Sequence, residues 1–170
     1  MSTDYFPRLA AINTDDKKMN VAVNQQADVA ILLITPVIVL FLTFAPFIVE
    51  LLYSSTFNVI IGFVTFGVLG TFFKAVSFSL GYVIIAKGHS KVFITLSVIF
   101  NTVFLTISVI SYNIGGLTGL GIGFLGYYFI HFIALKVLTK YLYEISLTKS
   151  FYRTFLICAI ICGSSFMATL

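Results

Sequence analysis

Apolar residues run along this chain in long uninterrupted stretches, and charged residues are nearly confined to the short segments between them. A helix needs about 20 apolar residues to cross the roughly 30 Å hydrocarbon core of a bilayer. The stretches reach that length, so the pattern predicts membrane-spanning helices. Four complete spans are predicted, at residues 29–49, 58–86, 92–112 and 115–135. A fifth begins near Thr154 and is still apolar at Leu170, so we expect it to be truncated.

The composition agrees with this pattern. Hydrophobic residues make up 59% of the 170 residues and charged residues 9%, against about 25% in soluble domains. The mean hydropathy of +1.08 excludes a soluble domain and equally a disordered chain, which needs low hydrophobicity and high charge. The predicted fold class is therefore all-α, a polytopic transmembrane helix bundle at residues 29–170, preceded by a polar lead-in segment at residues 1–28.

The basic residues alternate between successive connecting segments. Three lie before the first span, none at 51–57, two at 87–91, none at 113–116 and four at 136–153. Lys and Arg are retained on the cytoplasmic side of short loops, so the count predicts a cytoplasmic N-terminus. In the lead-in segment, Asp15 and Asp16 are candidates to cap a short helix that carries Lys17 and Lys18 toward the membrane. The charges do not form a basic face of the kind that binds nucleic acid, and we predict no nucleic-acid partner.

The sequence offers no arrangement typical of catalysis. It lacks paired carboxylates, a nucleophile with a base, a phosphate-binding glycine loop and a metal-ligand cluster. We therefore predict no enzyme activity, no catalytic residues, no cofactor and no metal. Cys158 and Cys162 share one helix face without a neighbouring His or acid, which indicates small packing residues. Glu50 is the only acid at an outer span boundary, where an interfacial anchor is the favoured interpretation.

The span at 58–86 carries the one lysine that lies near the middle of a membrane stretch, Lys74. A lysine at the bilayer centre costs about 2.5 to 3.5 kcal/mol on insertion scales, so it usually faces a cavity or a partner. Small and polar residues recur at three- and four-residue spacing on the same helix face: Gly67, Gly70, Thr71, Lys74, Ser77 and Gly81. This stripe indicates a functional lining, or else a packing contact in which Lys74 pairs with a neighbouring helix or snorkels.

Small and polar residues also line faces of the next two spans. Glycines at four-residue spacing favour close helix packing in the fourth span: Gly115, Gly119 and Gly123, with Gly126 continuing the stripe. Tyr127 and His131 lie beside it, either packed or lining a polar cavity. In the third span one polar face indicates a hydrogen-bonded seam or a hydrophilic lumen, and both stay open: Ser97, Asn101, Ser108 and Tyr112. Pro36 and Pro46 predict bends in the first span.

Three local patterns occur in a characteristic order and spacing. DYFPRL (4–9) and VNQQ (23–26) precede the first span, LLYSSTF (51–57) follows it, and GTFFK (70–74) is followed by LGYVIIAK (80–87). Together they resemble the C-terminal half of a Wzx-type O-antigen or polysaccharide flippase, in the multidrug/oligosaccharidyl-lipid/polysaccharide flippase superfamily. The resemblance covers residues 2–140.

The resemblance implies a bacterial inner-membrane transporter of two lobes. Such flippases pass undecaprenyl-diphosphate-linked oligosaccharide to the periplasmic leaflet by alternating access, and this chain would supply the last helices of the second lobe. Its partners would be the lipid-linked oligosaccharide, membrane lipids and the missing N-terminal lobe. Lys74 would attract the diphosphate, while Thr71, Ser77 and Asn101 would bind the substrate's sugar hydroxyls.

Thr71 departs from the family pattern, because many relatives carry an acid at the matching position, one turn before the lysine. Either another helix supplies the counter-charge of Lys74, or the charge is free to attract an anionic group. Two other functions stay open at this point. One is an ion-coupled exporter of the multidrug and toxin extrusion type, which usually needs an intramembrane acid. The other is a membrane assembly subunit without a transport cycle.

Overall fold

The computed structural model of this chain describes residues 2–52 and 58–169, and within those ranges it contains five helices and no strand. The helices are α1 (Ser2–Ala11), α2 (Asp16–Leu52), α3 (Asn58–Ala86), α4 (Ser90–Tyr143) and α5 (Lys149–Thr169). Four of them, α2 to α5, are long and apolar enough to cross a membrane. The prediction of an all-α bundle with membrane-spanning helices is confirmed.

Helix α4 folds back on itself at two glycines. A straight helix of its 54 residues would be about 81 Å long, far more than a bilayer requires. Gly115 and Gly116 have non-helical backbone angles, and the φ of +57° at Gly116 lies in the left-handed region that glycine adopts without strain. We call residues 90–114 the first arm and residues 117–143 the second arm. They correspond to the separately predicted third and fourth spans.

The two arms run antiparallel and touch along their length. Next to the turn, a Cβ added at Gly119 would lie 2.2 Å from the carbonyl oxygen of Ser111. Farther from it, the rings of Phe104 and Tyr127 are 4.9 Å apart. The glycine stripe packs as predicted at Gly119 and also at Gly123, whose added Cβ would meet the Ser111 hydroxyl at 2.4 Å. Gly126 has no atom within 4 Å of such a Cβ and does not share in this packing.

Helix α3 is the central helix of the bundle and packs against α2 and α4. It runs parallel to the second arm, because Gly62, Gly70 and Gly81 face residues 118, 124 and 135 in the same order. Four phenylalanines join α3, the second arm and α5, with ring centroids 5.1 to 6.3 Å apart: Phe72, Phe73, Phe132 and Phe155. This aromatic contact holds the centre of the bundle.

Helix α5 packs against α2. Cys158 and Cys162 are free thiols buried in this part of the core, which agrees with the packing role predicted for them. Helix α2 continues through both of its prolines, from Asp16 to Leu52. Pro36 and Pro46 therefore do not interrupt it, and the helix that begins at Asp16 is not short but is the first span itself.

The connecting segments that carry the basic residues meet at one end of the bundle, which we call the basic end. It comprises α1 with the start of α2, the turn at 87–91, and residues 136–153, which include the connector at 144–148. Lys87 donates hydrogen bonds to the Asp16 carboxylate and, over 2.6 Å, to the carbonyl of Asn13. Tyr5 donates to the carbonyl of Ser79 over 3.1 Å, which attaches α1 to α3.

Two asparagines of α2 bind the connector between α4 and α5. The Asn24 side chain donates to the carbonyl of Ser146 over 3.0 Å and accepts from the amide of Thr148 over 2.8 Å. Asn20, one turn earlier, accepts from the amide of Ser146 over 3.0 Å. Asp15 caps α2 as predicted, since its carboxylate accepts from the Lys18 amide at 3.0 Å, and this bond lowers the pKa of Asp15.

The three segments predicted to be cytoplasmic therefore lie on one side of the molecule. The predicted outer turn near residues 113–116 lies at the opposite end of the hairpin. Most of the predicted outer loop at 51–57 falls outside the described residues, as does the side chain of Glu50. Which end faces the cytoplasm stays a prediction from the basic-residue count.

Candidate functional site

A cavity of about 310 Å³ lies between α3 and both arms of α4, toward the basic end. It is walled mainly by aromatic and aliphatic side chains, and a few polar groups converge on it. The polar groups are Ser77 from α3, Ser97 and Asn101 from the first arm, and Tyr127 and His131 from the second arm. A cleft with an apolar wall and a few polar groups is typical of a binding site for a small organic group. We call it the polar cavity.

The structure brings two of the four predicted site residues together on this cavity. Ser77 is buried, and its hydroxyl donates to the carbonyl of Phe73 over 2.9 Å, so its oxygen keeps accepting capacity. Asn101 is exposed on the facing arm and offers both a donor and an acceptor. Gly81 of the predicted stripe also lines the cavity, where the absence of a side chain leaves room opposite Leu135.

Lys74 lies one helical turn from Ser77 but does not line the polar cavity. Its Nζ is surrounded by aromatic rings, 5.1 Å from the centroid of Tyr128, 5.7 Å from Phe78 and 6.0 Å from Phe124. No carboxylate of the described residues forms an ion pair with it. Ring faces attract a cation by about 0.5 to 2 kcal/mol each, without neutralising its charge. In the described part of the chain the counter-charge of Lys74 is therefore not supplied by an acid.

Thr71 lies apart from the other predicted residues. Its hydroxyl donates to the carbonyl of Val68 over 2.6 Å, within its own helix. Thr71 lines a second pocket, of about 280 Å³, whose other walls include Phe63, Val64 and Phe124. The stripe on α3 thus serves two places, the polar cavity at Ser77 and an apolar pocket at Thr71, with Lys74 between them.

His131 belongs to the polar cavity and is absent from the predicted site residues. Its Nδ1 is buried and has no hydrogen-bond partner among the described residues. The imidazole is enclosed by rings, with Phe100 edge-on at 4.4 Å and Tyr127 stacked at 5.6 Å. The rings shield this nitrogen from the cavity, so His131 contributes its ring to the wall rather than an exposed nitrogen. The sequence showed Tyr127 and His131 one turn apart, but only the hairpin places them opposite Ser97 and Asn101.

The polar face predicted in the first arm is divided by the structure. Ser97 and Asn101 line the cavity, while Ser108 and Tyr112 do not. The arms themselves pack through an adjacent face formed by Phe100, Phe104, Ile107 and Ser111. For Ser97 and Asn101 the cavity wall is therefore the better interpretation than a hydrogen-bonded seam.

Among the described residues there is no group of three His, Cys, Asp or Glu side chains that could hold a metal ion. Comparison with known proteins shows no match to any family model, curated protein or solved structure. The resemblance to flippases therefore stays a prediction from the sequence motifs. The polar cavity and Lys74 are therefore the features from which a function is inferred below.

Proposed function

We propose that this chain is part of a bacterial inner-membrane transporter that moves a lipid-linked oligosaccharide from the cytoplasmic to the periplasmic leaflet. It would supply helices of the C-terminal lobe, with the basic end in the cytoplasm, and an N-terminal lobe would complete the transport path. The observation that carries the proposal is a lysine with no acidic partner among the described residues, set in an apolar span one turn from a polar cavity.

The two neighbouring sites fit the two chemical parts of such a substrate. A diphosphate is anionic, and Lys74 offers it a charge that no described carboxylate competes for. A sugar presents hydroxyls, for which Asn101 and Ser97 offer donors and acceptors. Ser77 and Lys74 are three residues apart on α3. The sugar-binding cavity and the lysine are therefore displaced by about 4.5 Å along the helix axis.

Two features support this function over the two alternatives. An ion-coupled exporter usually needs an acid within its spans, and the chain has no Asp or Glu between Asp28 and Glu50 or anywhere in residues 58–143, so the N-terminal lobe would have to supply it. A subunit that only assembles would leave Lys74 and the polar cavity without a purpose, although both are costly in a membrane. A transporter of an anionic glycolipid accounts for both features.

The proposal is tested by deleting the gene that encodes this chain and measuring lipid-linked oligosaccharide and surface glycan. We expect surface glycan to disappear and lipid-linked oligosaccharide to accumulate in the inner membrane, because synthesis continues without transport. Blocking the first sugar transfer in the same strain should abolish the accumulation. Normal surface glycan in the deletion strain, or its loss without accumulation, would refute the proposed function.

Restoration of transport should require more than these helices. The 170 residues expressed alone should fail to restore surface glycan, since one lobe cannot enclose a transport path. Restoration by the 170 residues without a second polypeptide would show that the two-lobe arrangement is wrong.

A further inference from the structure

A groove runs along α1, α2 and α3, on the other side of Phe78 and Tyr82 from the polar cavity. Three adjoining pockets of about 420, 430 and 580 Å³ compose it. Arg8 and Gln25 line both the first and the second pocket. Tyr5 and Gln26 line both the second and the third. Because they share walls, the pockets form one path from the basic end into the apolar part of the bundle.

The first pocket is strongly cationic. Arg8, Lys17 and Lys18 line it, and no acidic side chain does. Lys18 pairs with Asp15 at 3.2 Å, whereas Arg8 and Lys17 form no ion pair with a described residue. Ile12 and Val21 line the same pocket, so the free charges lie directly beside apolar surface. Basic residues beside apolar surface favour an anion that carries an apolar chain over a small, fully hydrated anion.

The groove becomes apolar farther along α2. Its middle section contains Gln25, Gln26 and one acid, Asp28, and no charged residue follows on α2 before Glu50. The last section is walled by aliphatic and aromatic side chains, of which Leu33, Val37 and Phe78 are each more than half exposed. From Val29 to Val37 the helix rises about 12 Å, close to the roughly 15 Å of hydrocarbon in one leaflet.

We infer that this groove holds one phospholipid with an anionic headgroup, its phosphate beside Arg8 and Lys17 and an acyl chain against Leu33, Val37 and Phe78. The order of basic, polar and apolar sections matches the order of groups in such a lipid. An extended peptide fits less well, because its backbone amides would find no partners along the apolar section. This inference does not depend on the proposed transport function.

The inference is tested by native mass spectrometry of the delipidated protein in detergent, titrated with dioleoyl phosphatidylglycerol or dioleoyl phosphatidylcholine. We expect the anionic lipid to bind at least about fivefold more tightly, since each nearby cation contributes about a factor of five. On the same basis Arg8→Gln with Lys17→Gln should weaken phosphatidylglycerol binding about 25-fold. Arg8→Lys with Lys17→Arg keeps both charges and should bind within about twofold of the unaltered protein.

A matched control removes two other exposed charges of the basic end, by Lys140→Gln with Lys149→Gln, and should leave binding unchanged. Equal affinity for the two lipids, or an equal loss in the control, would overturn the inference. So would competition by glycerol phosphate, which has no acyl chain, or a preference for a polyprenyl phosphate, which would assign the groove to a transported lipid. If circular dichroism shows that the Gln variant is misfolded, Leu33→Asn with Val37→Asn is the deciding variant. It alters the apolar section of the groove and should also weaken phosphatidylglycerol binding, and unchanged binding would overturn the inference.

Discussion

Lys74 lies in a span where its described neighbours are aromatic rings rather than carboxylates. Removing a charge from such a setting leaves no opposite charge unpaired, so the fold loses only the attraction to the rings. Truncation of Lys74 can therefore reveal a role in binding without a large effect on folding. A lysine that paired with a buried acid would destabilise the protein strongly when truncated.

On the transport function proposed above, we predict that Lys74→Ala leaves membrane abundance near normal and lowers glycan export about 10- to 150-fold. The range follows from the roughly 1.5 to 3 kcal/mol of a hydrogen bond to a charged group. Lys74→Arg should keep part of the activity, because the charge survives while its geometry changes. The measurement is surface glycan in a flippase-deleted host, together with the amount of protein in the membrane.

Lys136 provides the matched control, because its Nζ lies 4.9 Å from the ring of Tyr152 in the same kind of contact but at the basic end. Lys136→Ala should leave export unchanged. Normal export by Lys74→Ala would show that its charge is incidental. Disappearance of the Lys74→Ala protein would instead show that the lysine is paired within the fold.

The α4 hairpin is the element that builds the polar cavity. Its turn at Gly115 and Gly116 places the first arm against the second, so that Ser97 and Asn101 face His131 across the cavity. Close approach of the arms near the turn depends on Gly119 and Gly123, which leave no space for a side chain. We therefore expect a packing defect near the turn to change the distance between the arms and so the geometry of the cavity.

We predict that Gly119→Ala lowers the thermal stability of the protein in detergent, because its methyl group would overlap the Ser111 carbonyl. Overpacking of this kind costs about 1 to 3 kcal/mol. Gly126→Ala in the same arm is the control, since its methyl group meets nothing within 4 Å and alanine favours the helix. The measurement is the midpoint of loss of monodisperse protein on heating. Equal midpoints for the two variants would contradict the packing assigned to Gly119.

The spans were predictable at the scale of elements because lipid imposes a length on them. Uncharged stretches located the helices, and the limits of the third and fourth spans placed a connection near residues 113–116, where the chain reverses. Side-chain partners were less accessible to prediction, as Tyr128 and Phe124 beside Lys74 illustrate. Periodicity identifies the face of a helix, but the angular position of the facing helix decides which residues meet. Ser97 and Ser108 were predicted on the same face, yet only Ser97 lines the polar cavity.

At the scale of the whole molecule, the basic segments are joined into one end by specific hydrogen bonds. Asn24 attaches the connector at 144–148 to α2, and Lys87 attaches the turn after α3 to the start of α2. The charge count and the structure therefore group the same segments. If the basic end faces the cytoplasm, all three basic segments lie on the side where Lys and Arg are retained.

We predict that single cysteines at the two ends label from opposite sides of the membrane. In a background with Cys158→Ala and Cys162→Ala, Ser55→Cys and Asn113→Cys should react with an impermeant maleimide in intact spheroplasts. Ser90→Cys and Ser146→Cys should react only after the membrane is permeabilised, because they lie at the basic end. Labelling of position 55 or 113 from the cytoplasmic side alone would contradict the orientation.

The most direct measurement is translocation in liposomes that contain the proposed two-lobe transporter and a fluorescent lipid-linked oligosaccharide in both leaflets. An impermeant glycosidase cleaves only the glycans exposed outside. The account predicts that the unaltered protein lets cleavage proceed beyond the outer-leaflet fraction, and that Lys74→Ala slows this second phase sharply. Cleavage that stops at the same fraction as in protein-free liposomes would contradict the claim that this chain belongs to a flippase.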